Sequence, residues 1–232
     1  MQGSIASLET LSSVDGPGIR SVVFLNGCLK RCLYCHNPEM LKKTKPNIKA
    51  RDLANKLIRY KNYYQNGGGV TFSGGEPLLQ TDFLIEVSKI LKKENIHIAL
   101  DTAGDYLGNV EKLLKYVDLV ILDIKDVRSK EYQELTYSKL ENFEKFISIL
   151  NESQVKVSLR HVIVPTYHDN LDYLKKLKEY TKKINHIDMT FIPYHKLGIE
   201  KYQKLNLYYP LKDINEMDKD ECEKLELIYK NL

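Results

Sequence analysis

Three cysteines, Cys28, Cys32 and Cys35, lie together in the segment CLKRCLYC and could bind a metal. Thiolates are ligands of zinc and of iron–sulfur clusters, and a closed site of either kind normally takes four protein donors. A compact trio therefore leaves one position for a remote ligand or for a substrate. The chemistry expected at these residues is that of a metal centre with an open coordination position.

The simplest alternative is a zinc knuckle completed by His36 or Cys222. His36 directly follows Cys35, so both side chains would bend onto one ion only with difficulty. Zinc sites also favour paired C-x2-C elements, and this chain has one. A [4Fe-4S] cluster held by three thiolates is the better interpretation. Cys222 shares a helical face with Leu225 and Tyr229, which predicts a buried packing residue.

The elements that must position these residues are visible as alternating apolar and amphipathic segments. Short β-branched runs alternate with helical patterns, which is typical of parallel strands joined by crossover helices. The predicted strands span residues 21–25, 70–73, 96–101, 119–123, 155–164 and 187–193. Six right-handed strand and helix pairs predict an α/β fold, an incomplete (βα)6 barrel related to the TIM barrel. We expect one domain over residues 1–232, because this length suits a single core.

Two of the intervening segments show the apolar stripe of a helix that packs on a sheet. The stripes consist of Phe83, Val87, Ile90 and Leu91, and of Phe143, Phe146, Ile147 and Leu150. Active sites of parallel α/β folds are built at the carboxyl ends of the strands. The polar residues that follow the predicted strands are therefore expected to meet at one edge of the sheet.

The composition argues against several classes of partner. Lys and Arg exceed Asp and Glu by 35 to 31, and the lysines are scattered rather than grouped with aromatic residues. This pattern predicts a solvated surface and no nucleic-acid partner. The N-terminus lacks a signal peptide, and no apolar run is long enough to cross a bilayer. We expect a cytoplasmic protein without a membrane partner, in which clustered cysteines bind metal rather than form disulfides.

Further motifs accompany the cysteines in a defined order along the chain. They are SVDGPGIR at 13–20, YCHNP at 34–38, FSGGEP at 72–77, LDTAG at 100–104, LDIK at 122–125 and IPYHKLG at 192–198. The set resembles the radical S-adenosylmethionine (SAM) enzymes and, within that superfamily, the glycyl-radical-enzyme activases. The cysteine motif alone indicates only the superfamily, whereas the first and last motifs narrow it to the activases.

The resemblance implies a cofactor site. It implies a [4Fe-4S] cluster on Cys28, Cys32 and Cys35, with SAM chelated to the iron that lacks a protein ligand. The cofactor contacts that it implies come from Tyr34, Asn37, Gly74, Gly75, Glu76, Lys125 and His195. It also implies a possible monovalent cation at Asp101, Thr102 and Asp123.

The residues considered alone leave other interpretations open. The glycine pair could form a plain strand-to-helix turn, and Asp101, Asp123 and Lys125 could neutralise one another. His195 could cap a helix or lie on the surface, and Tyr34 could be a packing residue.

The implied activity is reductive cleavage of SAM to a 5′-deoxyadenosyl radical, which takes a hydrogen atom from a glycine of a partner enzyme. No acid–base catalyst is implied. The residues expected at the partner's peptide are Asp15, His36 and Arg160, although Arg160 is equally suited to an internal salt bridge.

The implied partner is a glycyl radical enzyme, with pyruvate formate-lyase favoured because no cysteine-rich insertion follows the cluster motif. Flavodoxin or ferredoxin is the expected electron donor, because the chain has no second cluster motif. The alternatives are an activase of another glycyl radical enzyme or a radical SAM enzyme that acts on a small molecule. An electron-transfer ferredoxin would be smaller and would use four thiolates per cluster.

Overall fold

The computed structural model describes residues 1–232, which form nine β-strands and eight α-helices. The strands are β1 (Gln2–Gly3), β2 (Ile5–Ser12), β3 (Arg20–Leu25), β4 (Ile48–Lys49), β5 (Gly69–Gly74), β6 (His97–Thr102), β7 (Leu119–Ile124), β8 (Lys156–Ile163) and β9 (Asp188–Pro193). The helices are α1 (Ala50–Ile58), α2 (Thr81–Lys93), α3 (Val110–Leu114), α4 (Ser129–Thr136), α5 (Leu140–Glu152), α6 (Leu171–Thr181), α7 (Ile199–Lys204) and α8 (Lys219–Asn231).

Seven of the strands form one sheet in the order β2, β3, β5, β6, β7, β8, β9. Every neighbouring pair from β3 to β9 is parallel. These six parallel strands are the six that the sequence predicts, with bounds that agree to within one residue. The outer strands β2 and β9 do not pair with each other, so no closed barrel forms. The incomplete barrel of the α/β prediction is thereby confirmed.

The N-terminal part of the chain adds elements that the sequence analysis did not predict. β2 pairs antiparallel with β3, and β1 pairs antiparallel with β4 in a separate two-stranded sheet. β2 is half exposed along its length and mixes polar with apolar residues. It lacks the continuous apolar run that marks a strand buried on both faces. By covering the hydrogen-bonding edge of β3, it protects a buried strand from solvent and from other chains.

The helices bury the apolar stripes that the periodicity predicts. Phe83, Val87 and Leu91 of α2 are buried in the main core of 42 residues, and Ile90 packs against it. All four stripe residues of α5 belong to the same core. The helices thus hold the sheet from outside and leave the carboxyl ends of the strands free for other residues. No helix of this fold combines the length and the apolar composition that crossing a bilayer would need.

A candidate active site at the carboxyl ends of the strands

One cavity of about 310 Å³ lies at the carboxyl edge of the parallel strands. Most of the predicted site residues line it, although they come from six separate motifs. These are Asp15, Cys28, Cys32, Tyr34, Cys35, His36, Asn37, Gly74, Gly75, Asp101, Thr102, Asp123, Lys125 and His195. Two predicted site residues, Glu76 and Arg160, do not line the cavity but contact residues that do.

The three cysteines of the cavity are half-buried free thiols. Burial raises the pKa of Cys28 to about 12 and that of Cys35 to about 11. The thiols are therefore protonated at neutral pH in the metal-free chain, and a metal must displace their protons. No group of three or more His, Cys, Asp or Glu side chains surrounds a position for a single ion. The arrangement fits a cluster, in which each thiolate binds a different iron.

The segment that carries the cysteines, residues 28–35, is fastened on two sides and is called the cysteine loop below. On one side Arg31 N donates to Thr136 O at 2.8 Å and Leu33 N donates to Leu135 O at 2.9 Å, at the end of α4. On the other side Cys28 N donates to Leu41 O at 3.2 Å. These backbone bonds fix the direction of the thiols without using any side chain that a cofactor needs.

Lys30 is a buried residue of the cysteine loop that the sequence analysis missed. Its side chain is 2 % exposed, its ammonium lies 3.5 Å from Asp105, and it donates to the hydroxyl of Tyr132. Burial lowers its pKa, while Asp105 opposes that change. Because its partners lie far along the chain, no local pattern connects them with Lys30. The only local signal is a lysine between two predicted ligands.

Gly74 and Gly75 bring bare backbone to the wall of the cavity. Gly74 has a φ of +117°, and a Cβ there would lie 2.3 Å from Leu25 N. A Cβ on Gly75 would lie 2.3 Å from Gly27 O, so neither position tolerates a side chain. Glycine is required here for close strand approach and leaves main-chain groups open to a ligand.

Glu76 lies behind the glycine loop, where it is 2 % exposed. Its carboxylate accepts hydrogen bonds from Thr102 Oγ1 at 2.6 Å, from Ala103 N at 3.1 Å and from Leu78 N at 3.1 Å. Burial raises its pKa, and these hydrogen bonds act in the opposite direction. Glu76 thus ties the loop after β5 to the end of β6, and its direct contact with a cofactor stays a prediction.

Lys125 and Asp123 form an ion pair of 2.5 Å within the cavity. Burial would lower the pKa of Lys125, but Asp123, Tyr34 and Cys32 raise it well above its usual value. The second carboxylate oxygen of Asp123 and the hydroxyl of Tyr34 are buried without any hydrogen-bond partner. Such orphaned atoms are uncommon in folded proteins, and a bound ligand would supply the missing bonds. The donor set of the cavity therefore fits a polar cofactor beside the cluster.

Arg160 links two predicted site residues that are distant along the chain, Asp15 and Asp101. Its guanidinium lies 3.9 Å from Asp15 and 3.8 Å from Asp101, and it donates to Val14 O at 3.1 Å. The internal salt bridge that the residues allowed is therefore present. Asp101 also accepts a hydrogen bond from Ser73 at 2.8 Å. Arg160 holds the DGPGIR segment against the end of β6, and its contact with a peptide substrate stays a prediction.

His36 and His195 form a stacked pair at the remaining side of the cavity. Their ring centroids are 4.0 Å apart, and His36 Nε2 donates to His195 O at 3.0 Å. Asn37 accepts a hydrogen bond from Lys201 at 2.6 Å, which fastens the cysteine loop to α7. Burial lowers the pKa of His36, so at neutral pH its ring presents an uncharged face to the cavity.

Cys222 lies apart from this cavity. It is 2 % exposed, and α8 places it in the main core with Tyr229. Burial raises its pKa to about 11, as expected of a thiol in apolar surroundings. Its predicted role in packing agrees with this position.

Comparison with known proteins places this geometry in a family. Residues 22–181 match the family model described as the radical SAM superfamily. The chain is 47% identical over 235 residues to the pyruvate formate-lyase-activating enzyme of Clostridium pasteurianum, which covers 100% of this chain and 99% of that protein. It is 38% identical over 242 residues to the enzyme of that name from Staphylococcus aureus strain USA300, covering 100% of this chain and 96% of the relative.

Solved structures support the same fold. A radical SAM methyltransferase from Sphaerobacter thermophilus superposes with a TM-score of 0.67 at 14% identity, over 91% of this chain and 64% of that one. The fold, the family match and the full-length similarity agree with one another. The chain therefore belongs to the radical SAM superfamily and, within it, to the family of pyruvate formate-lyase-activating enzymes.

Proposed function

We propose that this protein is an activase that cleaves SAM reductively at a [4Fe-4S] cluster and installs a glycyl radical in a partner enzyme. The observation that carries the proposal is the single cavity that combines three thiols, a bare glycine loop and a lysine–carboxylate pair. The names of the relatives support the same activity. We take residues 1–232 as one radical SAM domain, because the main core includes residues from β3 to α8.

Cys28, Cys32 and Cys35 would hold the cluster, and the residues around them would hold SAM. The bound cluster supplies the electron that splits SAM into methionine and a 5′-deoxyadenosyl radical. The main chain at Gly74 and Gly75 suits the amino group, and Lys125 suits the carboxylate. Tyr34, Asn37 and His195 also line the cavity, and the nucleoside would lie against them.

We further propose that a monovalent cation binds beside SAM at Asp101, Thr102 and Asp123. The three residues line one side of the cavity, and Asp123 has a carboxylate oxygen without a hydrogen-bond partner. Hard cations prefer oxygen ligands of this kind. The cation would partly neutralise the negative charge of Asp101 and Asp123 while Lys125 binds the carboxylate of SAM.

The substrate peptide would meet Asp15 and Arg160, which lie 3.9 Å apart, and His36, which lines the same cavity as Asp15. Arg160 is 21% exposed and holds two carboxylates at distances near 4 Å, which leaves its donors free to exchange partners with a peptide carbonyl. The open edge of the sheet supports access for a loop of another protein. Fixing one glycine close to the cofactor would supply the proximity on which such a reaction depends.

The partner that the relatives' names support is pyruvate formate-lyase. Flavodoxin or ferredoxin would deliver the electron, since the fourth cysteine of the chain is buried in the core. We propose a cytoplasmic location, because free thiols at a metal site require a reducing compartment.

The test is an anaerobic experiment with the reconstituted protein. The cluster is reduced with dithionite, SAM and pyruvate formate-lyase are added, and the products are followed by electron paramagnetic resonance and chromatography. A glycyl radical signal together with 5′-deoxyadenosine is the expected result. Deoxyadenosine without the glycyl signal would mean that the protein acts on a substrate other than pyruvate formate-lyase. The absence of both products from a reduced, SAM-bound cluster would refute the proposal.

The role of Arg160 is tested in the same assay with Arg160→Ala. We expect the glycyl radical yield to fall about tenfold or more, while SAM cleavage without the partner persists, because Arg160 lies outside the cofactor cavity. Lys178→Ala, a distant lysine that binds Tyr229 O, is the control. Equal loss of uncoupled SAM cleavage and of partner activation would exclude a role in peptide binding.

A further inference from the structure

The cysteine loop has a second, outward side that the proposed reaction does not use. A separate cavity of about 660 Å³ is lined on that side by Cys28, Leu29, Arg31, Lys42 and Lys43, among others. Cys28 lines both this cavity and the one that would hold SAM. A group bound to Cys28 would thus lie between the cavity proposed for SAM and this second, outer cavity.

The basic residues on the outer side are held rigidly beside Cys28. Cys28 N donates to Leu41 O at 3.2 Å, and Gly27 N donates to Met40 O at 2.7 Å, so the segment that carries Lys42 and Lys43 is fastened to the cysteine loop. Arg31 donates to Cys28 O at 2.7 Å from the same loop. The Arg31 guanidinium and the backbone next to Lys42 and Lys43 are therefore fixed relative to Cys28, and we call these three residues together with Leu29 the basic face.

The charge of the basic face is not neutralised within the chain. Arg31, Lys42 and Lys43 are exposed, and none has a carboxylate at salt-bridge distance, whereas many other exposed lysines, such as Lys224 and Lys230, pair with glutamate. Residues 41–51 contain five basic residues and no acidic residue. Among the residues that line this cavity Asp82 is the one acid, and it accepts a hydrogen bond from Asn109 at 2.5 Å.

An exposed apolar residue stands among these charges. Leu29 is 58% exposed at the outer side of the cysteine loop, next to Cys28. A small apolar contact within a ring of like charges is suited to brief encounters with a protein of opposite charge, because long-range attraction speeds association without making release slow. Electron-transfer complexes have small interfaces of this kind.

We infer that the basic face is the docking surface for an acidic protein that delivers one electron to the cluster through Cys28. This inference rests on the proposed function, because an external donor is needed only if the thiols hold a cluster that is reduced. The donor is oxidised by one electron and the cluster is reduced by one, with no bond formed or broken. Docking at the outer side leaves the cavity on the inner side free for SAM and the peptide.

The test compares two double charge reversals in the reconstituted protein. Lys42→Glu/Lys43→Glu changes the basic face, and Lys175→Glu/Lys176→Glu makes the same change of net charge on exposed positions of α6. Reduced flavodoxin is the probe, and the rate of cluster reduction is followed by stopped-flow absorbance at several salt concentrations. The dissociation constant of oxidised flavodoxin is measured separately by fluorescence anisotropy.

We expect the Lys42/Lys43 variant to be reduced about tenfold more slowly at low salt and to bind flavodoxin correspondingly more weakly. The differences in rate and in affinity between this variant and wild type should become smaller as the salt concentration rises, because salt screens exposed charges. The Lys175/Lys176 variant should behave like wild type. Equal rates in all three proteins, or equal slowing in both variants, would overturn the inference.

Reduction by dithionite separates this inference from the proposed function. With dithionite, SAM cleavage should be the same in wild type and both variants, because neither pair of lysines lines the SAM cavity. If the wild type fails to cleave SAM under these conditions, the proposed function is refuted. The rates and affinities with flavodoxin still decide the docking surface in that case, because they depend only on the cluster and on binding.

Discussion

Two polar networks lie on opposite sides of the end of β7, and they differ in how completely their groups are bonded. Asp123 and Lys125 face the cavity, whereas Asp126 points the other way and is fully buried. The alternation of side chains along an extended chain separates them. The inner network consists of Asp123, Lys125, Asp101 and Arg160, and the outer one of Asp126, Arg128, His161, His168 and Tyr173.

No buried side-chain nitrogen or oxygen of the outer network lacks a hydrogen-bond partner. Asp126 accepts from Arg128 at 2.7 Å and from His168 Nε2 at 3.2 Å. His161 donates from Nδ1 to Ile124 O at 2.7 Å, and its Nε2 accepts from the hydroxyl of Tyr173 at 2.9 Å. The hydrogen bonds to Ile124 and Asp126, the neighbours of Lys125, hold the backbone on which Lys125 is carried.

The inner network is incomplete by comparison. Asp123 keeps one oxygen without a partner, Tyr34 keeps an unbonded hydroxyl, and the bridges from Arg160 are long. Buried groups that the protein itself leaves unsatisfied mark the place where a ligand completes the bonding, whereas complete bonding marks a structural role. The complete bonding of the outer network fixes the backbone at the end of β7. The incomplete inner network keeps groups at the cavity that can bond a ligand.

The largest effect should come from the thiols, which show the same contrast between cavity and core. Cys32→Ser should abolish cluster assembly, because the ligand lines the cavity and cannot be replaced by a hydroxyl of much lower acidity. Cys222→Ser should keep a full cluster, since that thiol lies in the apolar core. Iron and sulfide analysis after anaerobic reconstitution checks both variants, and loss of cluster from Cys222→Ser would contradict the three-ligand site.

The next largest effect should be on stability, from the outer network. Asp126→Asn leaves His168 and Arg128 without their carboxylate in a buried position, which should cost about 3 kcal/mol in the free energy of unfolding. Asp123→Asn should cost about 1 kcal/mol or less, because Asp123 is 24% exposed and already lacks one partner. Urea unfolding of the reduced, metal-free protein measures both, and equal costs would remove the distinction between the networks.

A smaller effect on free energy should come from the inner lysine, and it should appear in binding rather than in folding. Lys125→Met should weaken SAM binding to the reconstituted protein by about tenfold to a hundredfold, because the carboxylate loses its cation. Isothermal titration at equal cluster content measures this change. Lys178→Met, which removes a lysine stacked on Tyr229, is the matched control and should leave the affinity unchanged. Unchanged affinity in Lys125→Met would assign the lysine to charge balance alone.

The sequence was sufficient to predict the six parallel strands and the edge at which the motifs meet. Parallel strands buried on both faces give continuous apolar runs such as residues 119–122, and a polar residue that ends such a run, here Asp123, lies at the carboxyl edge. The thiols, the glycine pair and Lys125 were expected to meet at one edge for this reason, whereas their roles were predicted from the cysteine spacing and from the resemblance to a family. β2 was missed because an antiparallel strand with one solvated face has no such run.

The outer network and Lys30 could not be predicted for a different reason. Their partners are distant along the chain: His168 lies 42 residues from Asp126, and Tyr132 lies 102 residues from Lys30. A buried charge shows in a sequence only as an ordinary polar residue, and its pairing depends on packing that periodicity does not encode. The same limit hid the two carboxylates that Arg160 contacts, Asp15 and Asp101.

The smallest expected effect is a difference in pH dependence between the buried Asp126 and the partly exposed Asp101. Burial would raise the pKa of Asp126, but hydrogen bonds from His168 and Arg128 outweigh it and lower the pKa below its usual value. Burial raises the pKa of Asp101, and the attraction of Arg160 does not offset it. An aspartate in the unfolded chain titrates near about pH 4.

These shifts predict opposite slopes of stability around that pH. Where only the unfolded state binds the proton, below about pH 4, Asp126 makes the protein less stable as the pH falls. Where only the folded state binds it, above about pH 4, Asp101 makes the protein less stable as the pH rises. The loss of unfolding free energy caused by Asp126→Asn, relative to wild type, should therefore be smallest at low pH. The unfolding free energy of Asp101→Asn, relative to wild type, should increase as the pH rises. The free energies of unfolding, measured by urea titration between about pH 3.5 and about pH 6.5, should change by about 1 kcal/mol per pH unit or less. Parallel profiles for the two variants would mean that the inner and outer networks share one electrostatic environment, which their different bonding argues against.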